Sequence, residues 1–175
     1  MNNKEQIEVA LAEAKSLLVN SRLVEAEKKT EVILEQYPEN GRALYIKAVC
    51  QRYLNRLEEA LATLRKLKKI RPGYGRAFQE EGHVCMAAGS TSQALLAYRH
   101  AVSLNNSLIA SWAALTKIHT KKGNHDNAKI TNIEYEKLKA LPDELLSVRN
   151  MISEGHNYNA EQLCRKFLQN NKKNV

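Results

Sequence analysis

The sequence has little that breaks a helix and no run that could cross a membrane. Only three prolines and seven glycines punctuate 175 residues, so long helices are permitted and an all-β chain, which needs turn residues at every hairpin, is disfavoured. No apolar run approaches the roughly 18–20 residues that a membrane span requires. The opening stretch MNNKEQIEVALAEAK interleaves acids with apolar residues and does not read as a signal peptide. The cytoplasm is therefore the expected compartment, and no membrane partner is expected. Cys50, Cys85 and Cys164 are odd in number and far apart, with no Cys-x-x-Cys pair. Neither a disulfide framework nor a structural zinc site is expected, and buried free thiols are the plain reading. Also missing are Gly-x-Ser-x-Gly, His-Glu-x-x-His, a P-loop and a dinucleotide fingerprint.

Charge is plentiful but uneven. The net charge is +8, yet residues 1–40 hold five Lys/Arg against eight Asp/Glu, and residues 41–175 hold 22 against 11. An acidic start and a basic body suit acidic partners, nucleic acid or head-to-tail self-contact.

The stretch Arg71-Pro72-Gly73-Tyr74-Gly75-Arg76 poses the central question. Two glycines between arginines could form an anion-binding loop or a plain bend. Thirty-four residues earlier the chain reads Tyr37-Pro38-Glu39-Asn40-Gly41-Arg42, so Pro72, Gly75, Arg76 and Ala77 repeat Pro38, Gly41, Arg42 and Ala43. A joint between repeats recurs at a fixed interval; a ligand loop is not expected to. Ala26, Ala60, Ala94 and Ala128 follow at the same spacing of 34, and Ala160 comes after 32. A small residue there lets two helices cross closely, where a bulky one would overpack the joint.

A 34-residue period of this kind resembles the tetratricopeptide repeat, a pair of antiparallel helices stacked into a solenoid. Gly82, Trp112, Ala101, Ile33, Pro38 and Pro72 match pieces of the family pattern. The resemblance implies an all-α fold, a right-handed α-solenoid of about five helix-turn-helix repeats. The units fall at 7–40, 41–74, 75–108, 109–142 and 143–174, forming one domain over residues 1–175. First helices are expected near 5–19, 42–54, 76–88, 109–122 and 143–154, with second helices near 22–36, 57–70, 91–104, 125–139 and 158–170. Gly89, Gly123 and Gly155 are placed to end first helices in the left-handed conformation, and Ser90 with Gln93 spells a capping box. Ile7, Val9, Leu11, Leu17, Leu18 and Val19 spread around more than one face of the first helix, which predicts burial on two sides. The fifth unit arrives two residues early, which predicts a changed angle after unit four. Leu163, Cys164, Phe167 and Leu168 would lie uncapped at the end, an expected interface or point of self-association.

No catalytic set emerges. His83 and Cys85 diverge on one helix, His119 and His125 straddle a turn with Asp126 beside them, and the adjacent pairs Glu58-Glu59 and Glu80-Glu81 point apart. The chain is expected to be no enzyme, with no metal and no cofactor. The family resemblance instead implies a concave face built from first helices. It would be lined by Arg42, Tyr45, Val49, Arg52 and Tyr53, then by Arg76, Gln79, His83 and Met86, then by Ala110, Ala113, Lys117, Thr120 and Lys121. That lining is basic and partly aromatic, suited to a protein or extended peptide bearing carboxylates. Chaperone-binding members of the family hold a terminal carboxylate with Lys and Asn side chains. The matching positions here are Leu11, Lys15, Ile46, Arg76 and Glu80, or Tyr45, Val49, Glu80, Ala110 and Ala114 from the next unit, and neither set forms such a clamp. The cluster Arg65, Lys66, Lys68, Lys69 and Arg71 lacks interleaved aromatics and reads as a solvated outer face, so nucleic acid is not the expected partner.

Two stretches, 44–84 (LYIKAVC…QEEGHV) and 140–175 (ALPDELL…KKNV), also resemble the N-terminal repeat region of bacterial tetratricopeptide-repeat sulfotransferases. That resemblance implies a recognition or assembly region ahead of a catalytic domain. The Pro-x-x-Gly-Thr-like phosphosulfate loop of those enzymes has no counterpart here, so no catalytic residue carries over.

Overall fold

The computed structural model describes residues 3–171, which form ten α-helices and, among the described residues, no strand. In order they are α1 (Asn3–Val19), α2 (Leu23–Gln36), α3 (Gly41–Tyr53), α4 (Leu57–Ile70), α5 (Gly75–Ala87), α6 (Thr91–Leu104), α7 (Ile109–Lys121), α8 (His125–Lys139), α9 (Asp143–Ser153) and α10 (Asn157–Asn171). Odd-numbered helices are the first, or A, helices of each repeat and even-numbered ones the second, or B, helices. None is long and apolar enough to cross a membrane. The chain divides into two compact units, one running to Gly73 and including Glu80–Ala94, the other comprising Tyr74–Gln79 and the chain from Leu95 onward.

Each A helix ends in the same way. The Asn55 N–H donates to the Arg52 carbonyl at 2.9 Å and the Arg56 N–H to the Gln51 carbonyl at 2.8 Å. The same two bonds close the turns at Ser21–Arg22, Gly89–Ser90, Gly123–Asn124 and Gly155–His156. This nested pair is a Schellman end, and it forces its penultimate residue to positive φ. Gly89, Gly123 and Gly155 sit there at φ +75°, +69° and +80°, as do Ser21 at 58° and Asn55 at 59°. A Cβ added at Gly89 would touch nothing within 4 Å, so only backbone strain opposes a side chain. Gly89→Ala is therefore expected to destabilise by about 1–2 kcal/mol, and Ser21→Gly to stabilise by up to about 1 kcal/mol. Urea midpoints of the two variants check both signs.

The Arg71–Tyr74 segment is a turn between α4 and α5, not a ligand cradle. A side chain at Gly73 would meet only open space, whereas a Cβ at Gly75 would lie 3.1 Å from both the Ala101 carbonyl oxygen and the Asn105 Cβ. Gly75 is needed because the end of α6 passes so near. The following joint has no proline; there the Asn105 side chain closes the turn itself, its Oδ1 accepting the Ser107 N–H at 2.9 Å. At the Ser90 start of α6 the Ser90 N–H donates to the Cys85 carbonyl at 2.8 Å.

Burial follows the repeat. Ala26, Ala60 and Ala94 are completely buried and Ala160 nearly so, while Ala128 is half-buried. Leu11, Ala14, Ala26, Ile33, Ala43, Ile46 and Cys50 form one cluster, with Ile7, Leu17 and Leu18 against its edge. Val9 and Val19 face water, Val19 at 73% exposure, so α1 is covered on one side only. The stacking face of the B helices changes after α6. Thr30, Leu64 and Tyr98 recur every 34 residues and are buried, but the next in that series, Asn132, is exposed. Lys129, which follows Glu27, Leu61 and Leu95 in the neighbouring series, is exposed as well.

Candidate functional site

In the first unit the expected A-helix positions have unlike fates. Val49, at 7% exposure, belongs to the core and not to an open face. Tyr45 is half-buried and Arg42 exposed. The Arg42 Nη1 lies 2.7 Å from both carboxylate oxygens of Glu8, the residue one repeat earlier. Arg52 donates from Nε to Glu80 Oε1 at 2.5 Å, and its guanidinium lies 4.0 Å from the centroid of the Tyr53 ring. Tyr53 is itself 60% exposed, and Met86 is also exposed.

Glu80 is buried to 2% exposure. Burial pushes its carboxyl above the usual range, and the Arg52 guanidinium pulls it part of the way back. His83 is half-buried. Burial, assisted by the Arg52 charge, lowers its imidazole to about 4, so it is neutral near pH 7. A second ion pair joins Arg56 to the buried Glu27. The buried Cys50 thiol is raised to about 11 by burial first and the Glu27 charge next, which makes it an inert thiol.

In the second unit Arg76 donates from Nε to the Glu154 carboxylate at the end of α9. Gln79 Oε1 accepts from the Ser111 hydroxyl at 3.0 Å. Lys117, Thr120 and Lys121 are exposed, and neither lysine forms an ion pair among the described residues. Ala110 is exposed and Ala113 half-buried. Near the end of the chain, Leu163, Cys164 and Phe167 are half-buried and Leu168 is 58% exposed.

The expected lining contained no acid, but the molecule supplies acids from elsewhere. Each of the three arginines in the expected lining meets a carboxylate of this same chain: Glu8, Glu80 or Glu154. Only for Arg42 was a signal present, since Glu8 precedes it by one repeat length. Within the expected lining, the positive charge without an ion pair among the described residues lies on Lys117 and Lys121. The outer cluster is likewise not uniform, because Lys68 bridges to Glu81 at 2.6 Å while Arg65, Lys66 and Lys69 are exposed. Among the described residues no three His, Cys, Asp or Glu side chains gather closely enough to hold a metal.

Comparison with known proteins agrees with this architecture. Residues 41–74 match the family model of the tetratricopeptide repeat. Among solved structures the chain resembles MamA of Desulfovibrio magneticus RS-1, with 19% identity over 78% of this chain and 77% of that one and a TM-score of 0.65. It resembles TTC0263, a thermophilic tetratricopeptide-repeat protein of Thermus thermophilus, with 18% identity over 86% and 82% and a TM-score of 0.68. A mutant O-GlcNAc transferase of Thermobaculum terrenum matches at 18% identity over 68% of this chain but 23% of its own, with a TM-score of 0.65. At these identities the likeness is one of fold, an all-α array of helical repeats. No curated protein sequence matches the chain.

Proposed function

We propose that this tetratricopeptide-repeat chain is a non-catalytic scaffold that binds protein segments on the exposed faces of its A helices. The observation that carries the reading is Tyr53. A tyrosine 60% exposed is held in place by Arg52, whose guanidinium rests 4.0 Å from the ring centroid and is anchored in turn on buried Glu80. An amphipathic ring fixed in advance loses little entropy when a partner covers it, and Tyr is among the residues that dominate interface energies. In the second unit, exposed Lys117, Thr120 and Lys121 favour a partner bearing carboxylates. The preference for acids thus rests on lysines, not on the arginines that the repeat pattern first suggests.

The test is selection of peptides from a random display library on the immobilised chain. Selected peptides should be enriched in Asp and Glu. Tyr53→Ala should weaken the binding of peptides held by the first unit, and Lys117→Glu with Lys121→Glu that of peptides held by the second, each about tenfold or more with helicity unchanged. Peptides that bind both variants as tightly as the parent chain would place the site elsewhere. The alternative reading, a recognition region ahead of a sulfotransferase domain, is supported by the resemblance of residues 44–84 and 140–175 alone. It requires a native polypeptide much heavier than 19.8 kDa that transfers sulfate from phosphoadenylyl sulfate.

A further inference from the structure

Helix α9 is held by residues that precede it by a repeat or more. Glu154, its C-cap, pairs with Arg76 in the first turn of α5, 78 residues back. One turn earlier on α9, Asn150 Oδ1 accepts an N–H from the Asn105 side chain at 3.0 Å. Arg149 reaches Asn106 Oδ1 at 3.4 Å, and the carbonyl of the same Asn106 accepts the Trp112 indole N–H at 2.9 Å. All of these residues lie in the second unit. The first turn of α5 and the α6–α7 turn therefore make a polar seat, and α9 occupies it with an amide and a carboxylate one helical turn apart.

Full burial on α9 is slight, with Leu145, Leu146 and Met151 only half-buried. Val148 is the one buried residue of α9, whereas α3 has seven. Ile152, between Asn150 and Glu154, is exposed. The α8 positions in register with Glu27 and Thr30 of the first repeat, Lys129 and Asn132, are exposed. A partly exposed ion pair and a few amide hydrogen bonds hold a helix only weakly, and elements held in that way open locally without global unfolding.

We infer that α9 is an exchangeable, built-in ligand of the Arg76–Asn105 seat, displaced by a partner helix that presents a carboxylate and an amide one turn apart. This inference rests on the A-helix faces being the binding surface, and it adds the partner's chemistry and a gate on access. Tethering keeps α9 at a high effective concentration beside its seat, so a single weak carboxylate does not displace it. A helix that reproduces the Asn-x-x-x-Glu spacing does. The His156 imidazole also lies near Glu154, its Nε2 3.9 Å from Oε2.

The test uses the full chain and a labelled synthetic peptide spanning residues 143–156. In Glu154→Lys, the α9 amides should exchange hydrogen about tenfold faster than in the parent chain while those of α7 are unchanged. Trp112 is the only tryptophan, so its fluorescence reports on the vacated seat. The peptide should bind Glu154→Lys about tenfold more tightly than the parent chain, whose own α9 competes with it. A peptide with lysine at the Glu154 position should not bind. Charge reversal, Arg76→Glu with Glu154→Arg, should restore slow exchange in α9. Unchanged α9 exchange in Glu154→Lys, parallel acceleration of α7 and α9, or equal peptide binding to both chains would each overturn the inference. The exchange readout needs no outside protein, so it can fail while the A-face binding reading stands, and the reverse.

Discussion

Arg52→Met is expected to destabilise the protein by about 3–5 kcal/mol, and adding Glu80→Met to recover most of that loss. Glu80 lies in a series that reads Ile46, Glu80, Ala114 at 34-residue intervals. It therefore puts a carboxylate at a position where the neighbouring repeats bury or half-bury an apolar side chain. Burial already raises its carboxyl, and Arg52 is the charge that opposes the rise. Without the guanidinium the carboxylate must either remain charged in a dry site or take up a proton, and both are costly at neutral pH. With both groups replaced by methionine, neither charge has to be desolvated and the packing volume is largely kept. Urea unfolding of the two single variants and the double variant separates these terms. A loss below about 1 kcal/mol for Arg52→Met would mean that Glu80 is far better solvated than its burial indicates. The same pair makes Arg52→Glu unsuitable as a probe of partner binding, since it would set a second carboxylate against Glu80.

Acid is expected to destabilise the molecule through His83. Its folded value, about 4, lies below the ordinary 6.5 of the unfolded chain. The unfolded state therefore binds the extra proton first. The stability contributed by the neutral imidazole is complete above pH 6.5 and is lost progressively as pH falls toward 4, by up to about 3 kcal/mol. Glu80 acts with the opposite sign. Its raised carboxyl favours the folded state at low pH and loses that contribution as pH rises through the folded value. The difference between the parent chain and His83→Gln removes the Glu80 contribution common to both. Unfolding midpoints should converge as pH drops from 7 to 4.5 if the parent chain starts ahead, because only the parent carries the acid penalty. A constant gap across that range would mean that His83 titrates normally.

What could be read from the sequence was whatever repeats. Helix boundaries fall within about two residues of the expected ones throughout, because alanines, glycines and prolines recur at one spacing and each has a local reason to be there. The left-handed positions at Ser21 and Asn55 were readable in principle, as they lie 68 and 34 residues before Gly89. They were missed because serine and asparagine are ordinary in turns, and only the repeat register marks them. What could not be read was which side chains meet across repeats. Arg52 finds Glu80 28 residues away and Arg76 finds Glu154 78 residues away, separations that no local pattern announces. Val49 was expected on an open face because its helix position matches those of His83 and Lys117. Its burial reflects neighbours that differ from repeat to repeat. The exposed sides of Val9 and Val19 have the same cause in reverse, since apolar identity does not ensure that a neighbouring helix is present.

The central claim is that the A helices carry the binding surface while their arginines serve the molecule's own structure. Hydrogen exchange of the full chain with and without a selected acidic peptide tests it most directly. New protection is expected at the end of α3 around Tyr53 for a peptide held by the first unit, or at the end of α7 around Lys121 for one held by the second, with α4 and α6 unchanged. Protection confined to α4 and α6 would contradict it and move the binding surface to the outer helices, where Arg65, Lys66 and Lys69 are exposed.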